Sequence, residues 1–544
     1  MIQIAIMENL RFKNANDISE KEDNFEILKC SVTGTVDYGD IQWTLICDKS
    51  GSMHGDKAQC LNYTILKMLC YFIEDATKKN NTHYIHLISF DHNVSEMNMV
   101  VNKDSGVDDL EPHINNILRP DGMTDIGAAL SKFGRTTYDK DVSMHNVILM
   151  TDGEVTKGIK NHTILKEYFE QKLKTTIHGT PAVIGYGVGH DIDCMEKLAS
   201  VPNAEYHCIE STEGAGFVYG EVMHSCLNEY CRNTELIIRN GQVYDFKANI
   251  WVDKLYIGRV LFDKPRTWSV RRNKLDTPIT AILRGENVKG EKKEMDIQIL
   301  KEPIEGEVND EVERCKLRYL TQRLLAESRH ILETPVEPIH LPPPPSIQRF
   351  ANIPNLPRLR AIGRDSSAPP PMKRQCAWNL RSSQSQNAVV TPTPSDNNSS
   401  DSNPMSTSGE DATSVTSNDS DVKNQPQTAR DVMIDKLEKH LKMLKEYIKV
   451  KGDDEGYVSV LCDDTYVAIC SLQSSNGRHF VVARQVTQGN QRAYMASDIS
   501  DMIEDDTQNY RSISAPQHQM MRSKTTPYAS QQVASMIRAV SDNV

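Results

Sequence analysis

Between about residues 42 and 227, short apolar runs alternate with segments whose apolar residues recur every three to four positions. The short runs lie at 42–47, 83–90, 96–101, 146–150, 180–186 and near Tyr206, and their length and texture predict strands. The segments near 55–75, 108–118, 125–138, 160–174, 192–199 and 214–228 predict helices, with Leu61, Ile65, Leu69 and Phe72 on one face of the first. Strand–helix alternation predicts an α/β fold whose mostly parallel sheet is covered by helices on both faces. Ligands of such sheets bind beyond the carboxyl ends of the strands.

The flanking sequence follows other periods. FEILKCSVTG (25–34) alternates as a strand, and TELIIRNGQVYDFKANIWVDKLYIGRVLFD (234–263) carries hairpin turn signals at Gly241 and Gly258, with strands following to about Leu300. These predict a small β-sandwich-like domain at 231–302, completed by the N-terminal segment 1–40. A helix is expected within 303–333, with Val312, Leu320 and Leu324 among its apolar positions. Residues 334–429 hold LPPPPS (341–346), APPPMK (368–373) and a Ser/Thr/Asn/Asp-rich stretch, which predict a long disordered linker, a tether in the favoured reading and a site for phosphorylation or Pro-binding modules in the other. In 430–450, Ile434, Leu437, Leu441, Leu444 and Ile448 fall at the spacing of a coiled-coil seam. That seam can be buried by docking on the 309–332 helix or by self-association. GYVSVLCDDTYVAICSLQ (456–473) and RHFVVARQVTQG (478–489) predict a small β-rich segment at 451–495. The tail 496–544 is expected to be mostly disordered, with a short amphipathic helix near 527–541.

Length and charge narrow the classes. A chain of 544 residues has room for three or four domains, and with only 38% apolar and 6% aromatic residues part of it lacks a core. A net charge of −12 argues against a nucleic-acid-binding surface over the whole protein. No run of eighteen apolar residues predicts a transmembrane helix. The start, MIQIAIMENLRFKN, lacks the basic and apolar regions of a secretory signal. The twelve cysteines are scattered, with no Cys-x-x-Cys and no zinc spacing. A reduced cytoplasmic or nuclear setting is expected, not secretion.

The chemistry sits at two strand ends and on a loop between them. In WTLICDKSGSM (43–53) an apolar strand runs into Asp48, Ser50 and Ser52, whose alternate oxygens can converge on a hard divalent cation such as Mg²⁺. RPDGMTDIGAAL (119–130) offers Thr124, and HNVILMTDGE (145–154) is a second apolar strand that ends near Asp152. Helix capping accounts for Ser, Thr and Asp singly, but not for three loops carrying these types in this order. The order resembles the metal-ion-dependent adhesion site, Asp-x-Ser-x-Ser, of von Willebrand factor A (vWA) domains. The chain resembles the intracellular type, with a Rossmann-like vWA domain at 41–230 and a vWA-associated β region after the core.

The resemblance implies roles for five residues. Ser50 and Ser52 would coordinate directly, Thr124 in the ligand-bound state, and Asp48 and Asp152 partly through water. Mg²⁺ is the default ion, with Mn²⁺ or Ca²⁺ as alternatives, and the remaining position would take an Asp or Glu carboxylate of a protein partner. Lys49, between two of these residues, can hydrogen-bond across the loop or be solvated, and solvation is the favoured expectation. His190-Asp191-Ile192-Asp193-Cys194 reads as a helix cap rather than as chemistry.

The expected function is a non-enzymatic protein–protein interaction module. The alternatives are a structural scaffold with a silent metal site and a Mg-dependent hydrolase or phosphotransferase. A phosphotransferase of the haloacid dehalogenase type needs a second carboxylate where this chain has Ser50, and no Gly-x-x-x-x-Gly-Lys-Ser/Thr loop occurs. Neither nucleic acid nor a membrane span is expected as a partner.

Overall fold

The computed structural model describes residues 2–8, 25–34, 36, 38–133, 142–174, 179–187, 190–209, 215–274, 277–287, 290–297, 307–334, 428–453, 456–474, 477–492 and 528–541. The linker expected at 334–429, apart from its ends, and the tail from 496 to 527 lie outside them. Two strands, β1 (Ile2–Glu8) and β2 (Phe25–Val32), come first. An α/β unit follows. Its strands are β3 (Ile41–Asp48), β4 (His83–Phe90), β5 (Val94–Val101), β6 (Met144–Thr151), β7 (Gly179–Tyr186) and β8 (Glu205–Ile209). Its helices are α1 (Asp56–Lys79), α2 (Val107–Ile117), α3 (Ile126–Lys132), α4 (His162–Leu173), α5 (Ile192–Leu198) and α6 (Ala215–Leu227).

The sheet runs β5-β4-β3-β6-β7-β8, all parallel except β5. Every residue of β3, β4 and β6 is buried, because helices cover both faces. Side chains alternate between the faces. Trp43, Leu45 and Cys47 pack with Leu69, Phe72 and Met223 on one side. Ile46, Val147 and Leu149 pack with Phe133, Phe169 and Met195 on the other. The α/β expectation with a mostly parallel sheet therefore holds.

The sandwich is built from β9 (Glu229–Arg239), β10 (Gly241–Asp245), β11 (Ile250–Val252), β12 (Lys254–Leu261), β13 (Arg266–Arg272), β14 (Thr280–Asn287) and β15 (Lys292–Ile297). One sheet has the order β1-β2-β13-β10-β11 and the other β12-β9-β14-β15. Leu28, Trp268, Leu236 and Ile238 share the core between them. The strand before the α/β unit thus pairs with one after it, Arg266–Arg271 of β13 lying against Cys30–Phe25 of β2.

Helix α7 (Glu307–Glu333) covers the outer face of the five-stranded sheet, where Tyr319 meets Phe25 at 5.5 Å and Tyr244 at 4.8 Å between ring centroids. Helix α8 (Ala429–Lys451) starts in a capping box of Thr428 and Asp431. Its seam is already covered within the chain. Leu437 packs with Leu325, Ile469 and Leu472, and Leu444 with Leu317 and Leu461. Self-association through this seam would first have to displace those neighbours.

The β-rich segment expected at 451–495 is corrected by the structure. It is two helices, α9 (Tyr457–Gln473) and α10 (Arg478–Asn490). Burial takes in most of α9, from Val458 and Leu461 to Asp464 and Leu472, so no polar stripe marks its period and its β-branched residues read as strand.

The final helix, α11 (Gln531–Ser541), lies on α6, with Val533 and Ile537 against Phe217, and Met536 and Val540 in the α/β core. Gly220 permits this approach, since a Cβ there would sit 2.6 Å from the Ile537 Cα. Gly220→Ala is therefore expected to loosen α11 at a cost of about 1–3 kcal/mol. Hydrogen exchange reads the result: faster exchange at 531–541 alone is expected, and unchanged protection there would disprove the tight contact.

Candidate metal centre

Three loops meet at the carboxyl edge of the sheet. Asp48 ends β3, and its Oδ1 accepts the Ser50 N–H at 2.8 Å, which turns the chain sharply. The Ser50 and Ser52 hydroxyls lie 3.0 Å apart. The Gly51 N–H donates to the Gly122 carbonyl at 3.0 Å and the Asp121 N–H to the Lys49 carbonyl at 2.8 Å, so the second loop is tied to the first. Gly122 has φ +72°, a left-handed value that favours glycine. Thr124 follows it, held by its N–H on Thr156 Oγ1 at 2.8 Å and by its carbonyl, which accepts from Thr156 and Lys157. On the third loop, Thr151 Oγ1 donates to Asp48 Oδ2 at 2.5 Å, next to Asp152. Asp48, Ser50, Thr124 and Asp152 are buried and Ser52 is exposed, so the cluster reaches solvent on the Ser52 side.

The donor set is all hard oxygen: two carboxylates and three hydroxyls. Burial pushes the Asp48 carboxyl up to about 6, opposed by the hydrogen bond from Thr151 and reinforced by the neighbouring Asp152 charge. Asp152 Oδ1 is buried with no hydrogen-bond partner among the described residues, while Oδ2 lies 3.2 Å from Lys57 Nζ. A buried carboxylate oxygen without a donor is costly, and a cation satisfies it. The residues present therefore fit a small divalent ion. No group of three His, Cys, Asp or Glu side chains among the described residues offers a different metal site.

Several neighbours depart from the sequence-based expectations. Lys49 is not solvated but lies 3.6 Å from Asp91 Oδ2, with its side chain 16% exposed. Sequence reasoning missed Thr151, Lys57 and Asp91; of these only Thr151 carried a local signal, standing beside a predicted ligand. Asp191 caps α5 through the Cys194 N–H, as the sequence suggested, and Asp125 caps α3 through the Ala128 N–H.

Comparisons with known proteins bear on the domain that carries these loops. Residues 44–154 match the family model of the von Willebrand factor type A domain. The chain matches no curated protein. Among solved structures, a von Willebrand factor type A protein from Catenulispora acidiphila is 12% identical, with TM-score 0.40, over 61% of this chain and 81% of that one. Proximal thread matrix protein 1 from the mussel byssus, solved with a zinc-occupied MIDAS motif, is 17% identical with TM-score 0.28 over 35% of this chain, which spans 46% of its length. No helix among the described residues is long and apolar enough to cross a membrane. The loops just described thus belong to a von Willebrand factor type A domain carried by this chain and matched over residues 44–154.

Proposed function

We propose that the chain is a non-enzymatic interaction module that binds protein partners through a divalent cation, Mg²⁺ by default, held by Asp48, Ser50, Ser52, Thr124 and Asp152. The observation that carries this is the partnerless Asp152 oxygen in a cluster whose other unspent donors are neutral hydroxyls. When bound, the ion offers an electrophilic position to an incoming Asp or Glu carboxylate, an attraction strengthened where the interface excludes water. Met123, 55% exposed beside Thr124, gives the rim an apolar contact for the partner. The free thiols of the described cysteines suit a reducing compartment, cytoplasmic or nuclear.

The test is a pull-down with the full chain in Mg²⁺, in EDTA, and as Ser50→Ala in Mg²⁺. A partner held in Mg²⁺ and weakened at least about tenfold in both other arms, or about 1.4 kcal/mol, is the expected result. Equal capture in all three arms would make the site silent and favour a scaffold.

A further inference from the structure

A cavity of about 1020 Å³ lies where β8 and the residues before it meet the sandwich, α7 and α10. That is the size of a small-molecule site, for which roughly 300–1,000 Å³ is usual. Lys247, Ala248 and Asn249 on its lining are exposed, so it can be entered from solvent. Deep in it lie Arg259, Lys264 and Arg492, none more than 7% exposed, and the half-buried Arg266.

Two carboxylates lie against these four cations, and a third, Glu229, also acts on Arg259. Glu205 lies 2.7 Å from Arg259 Nη2 and 3.8 Å from Arg492 Nη2, and Glu221 pairs with Lys264. Nearby Glu229 is held by Arg232 at 2.6 Å. The rim is mixed, with Arg329 bonded to Glu196 and Glu333. Burial lowers Lys264 to about 7, and even so the guanidinium groups of Arg259, Arg266 and Arg492 leave this end with more positive than negative charge. Among the described residues no carboxylate pairs with Arg266, whose Nη1 donates to the Ile257 and Arg259 carbonyls at 3.2 and 3.4 Å. The Nε atoms of Arg259 and Arg266 are buried with no acceptor among the described residues. Burial, with Glu205 pulling the other way, depresses Arg266 and Arg492 to about 10. Uncompensated buried charge is strongly unfavourable, so this end of the cavity is short of an anion.

We propose that the cavity binds a small organic phosphate carrying at least two negative charges. Guanidinium donors match phosphate oxygens in pairs. A phosphate supplies negative charge at this end, and the remaining volume holds its organic body beside Phe246 and Tyr256.

Phosphates also chelate divalent ions, so the test uses the full chain as Ser50→Ala in EDTA, which silences the metal centre. Calorimetric titration and thermal melts are run with inorganic phosphate, pyrophosphate, ATP and adenosine. The expected result is saturable binding of ATP with a raised melting temperature, none for adenosine, and affinity at least tenfold weaker in both Arg266→Gln and Lys247→Glu. Lys247 is exposed, so its substitution tests the site even if Arg266→Gln fails to fold. Absence of ATP binding, binding of adenosine alone, or affinities unchanged in the Lys247→Glu chain overturns the proposal.

Discussion

Lowering the pH from 7.5 to 5 is expected to remove about 8 kcal/mol of folding stability. Four buried histidines set this figure. Burial pushes His145, His224 and His440 down to about 4 and His207 down to about 3. The unfolded chain takes up a proton near pH 6.5 at each, whereas the folded chain does not until near pH 4. Stability is therefore full above 6.5, falls as pH drops through that value, and goes on falling toward the folded pKa. Each histidine costs about 1.4 kcal/mol per pH unit in that window. Their settings explain the resistance to protonation. His145 meets Thr44 Oγ1 at 2.8 Å, His440 meets Thr321 Oγ1 at 2.8 Å, and both ring nitrogens of His224 lack partners among the described residues. Since whole domains are stable by only about 5–15 kcal/mol, a loss of this size, partly offset by the raised Asp48 carboxyl, takes up much of a domain's stability. Denaturant titrations at pH 7.5 and 5 read the difference. Equal stability at the two values would mean that these histidines do not stay neutral in the fold.

The second large effect is that of Glu205→Gln, expected to cost about 3 kcal/mol, the lower end for breaking a buried ion pair because a quarter of the side chain is accessible. Burial alone would raise the Glu205 pKa, but Arg259, His207 and Arg492 outweigh it and hold it well below the carboxylate range. Without this charge Arg259 and Arg492 lose their nearest counter-charge. Glu205→Asp keeps the charge and is expected to lose less. Melting of the Gln variant within a degree of the parent would show that Glu205 does not hold this region together.

The cluster of oxygens proposed as a metal centre was legible because its residues are local. Asp48, Ser50 and Ser52 occupy five positions, and Thr124 and Asp152 follow on loops with recognisable edges. The cation cluster was not, because Glu205, Arg259, Arg266 and Arg492 are brought together only by the tertiary fold. The helical nature of 457–490 was hidden for another reason. Helices α9 and α10 are wedged between α7, α8 and the α/β unit, and with little polar face they leave no 3.6-residue signature. Lys49 illustrates a third limit. Its partner Asp91 lies 42 positions downstream, just past β4, where parallel pairing brings it beside β3.

The pairing of β2 with β13 sets a schedule for biosynthesis. Val32 and Arg266 are separated by 234 positions, and the whole α/β unit lies between them. At about 5–20 residues per second the ribosome needs tens of seconds to cover that stretch. Until then one edge of β2, with Phe25, Ile27 and Leu28 on its two faces, has no strand to join. A nascent chain in this interval carries a bare, apolar strand edge ahead of an already foldable domain, which is where a chaperone would have to act.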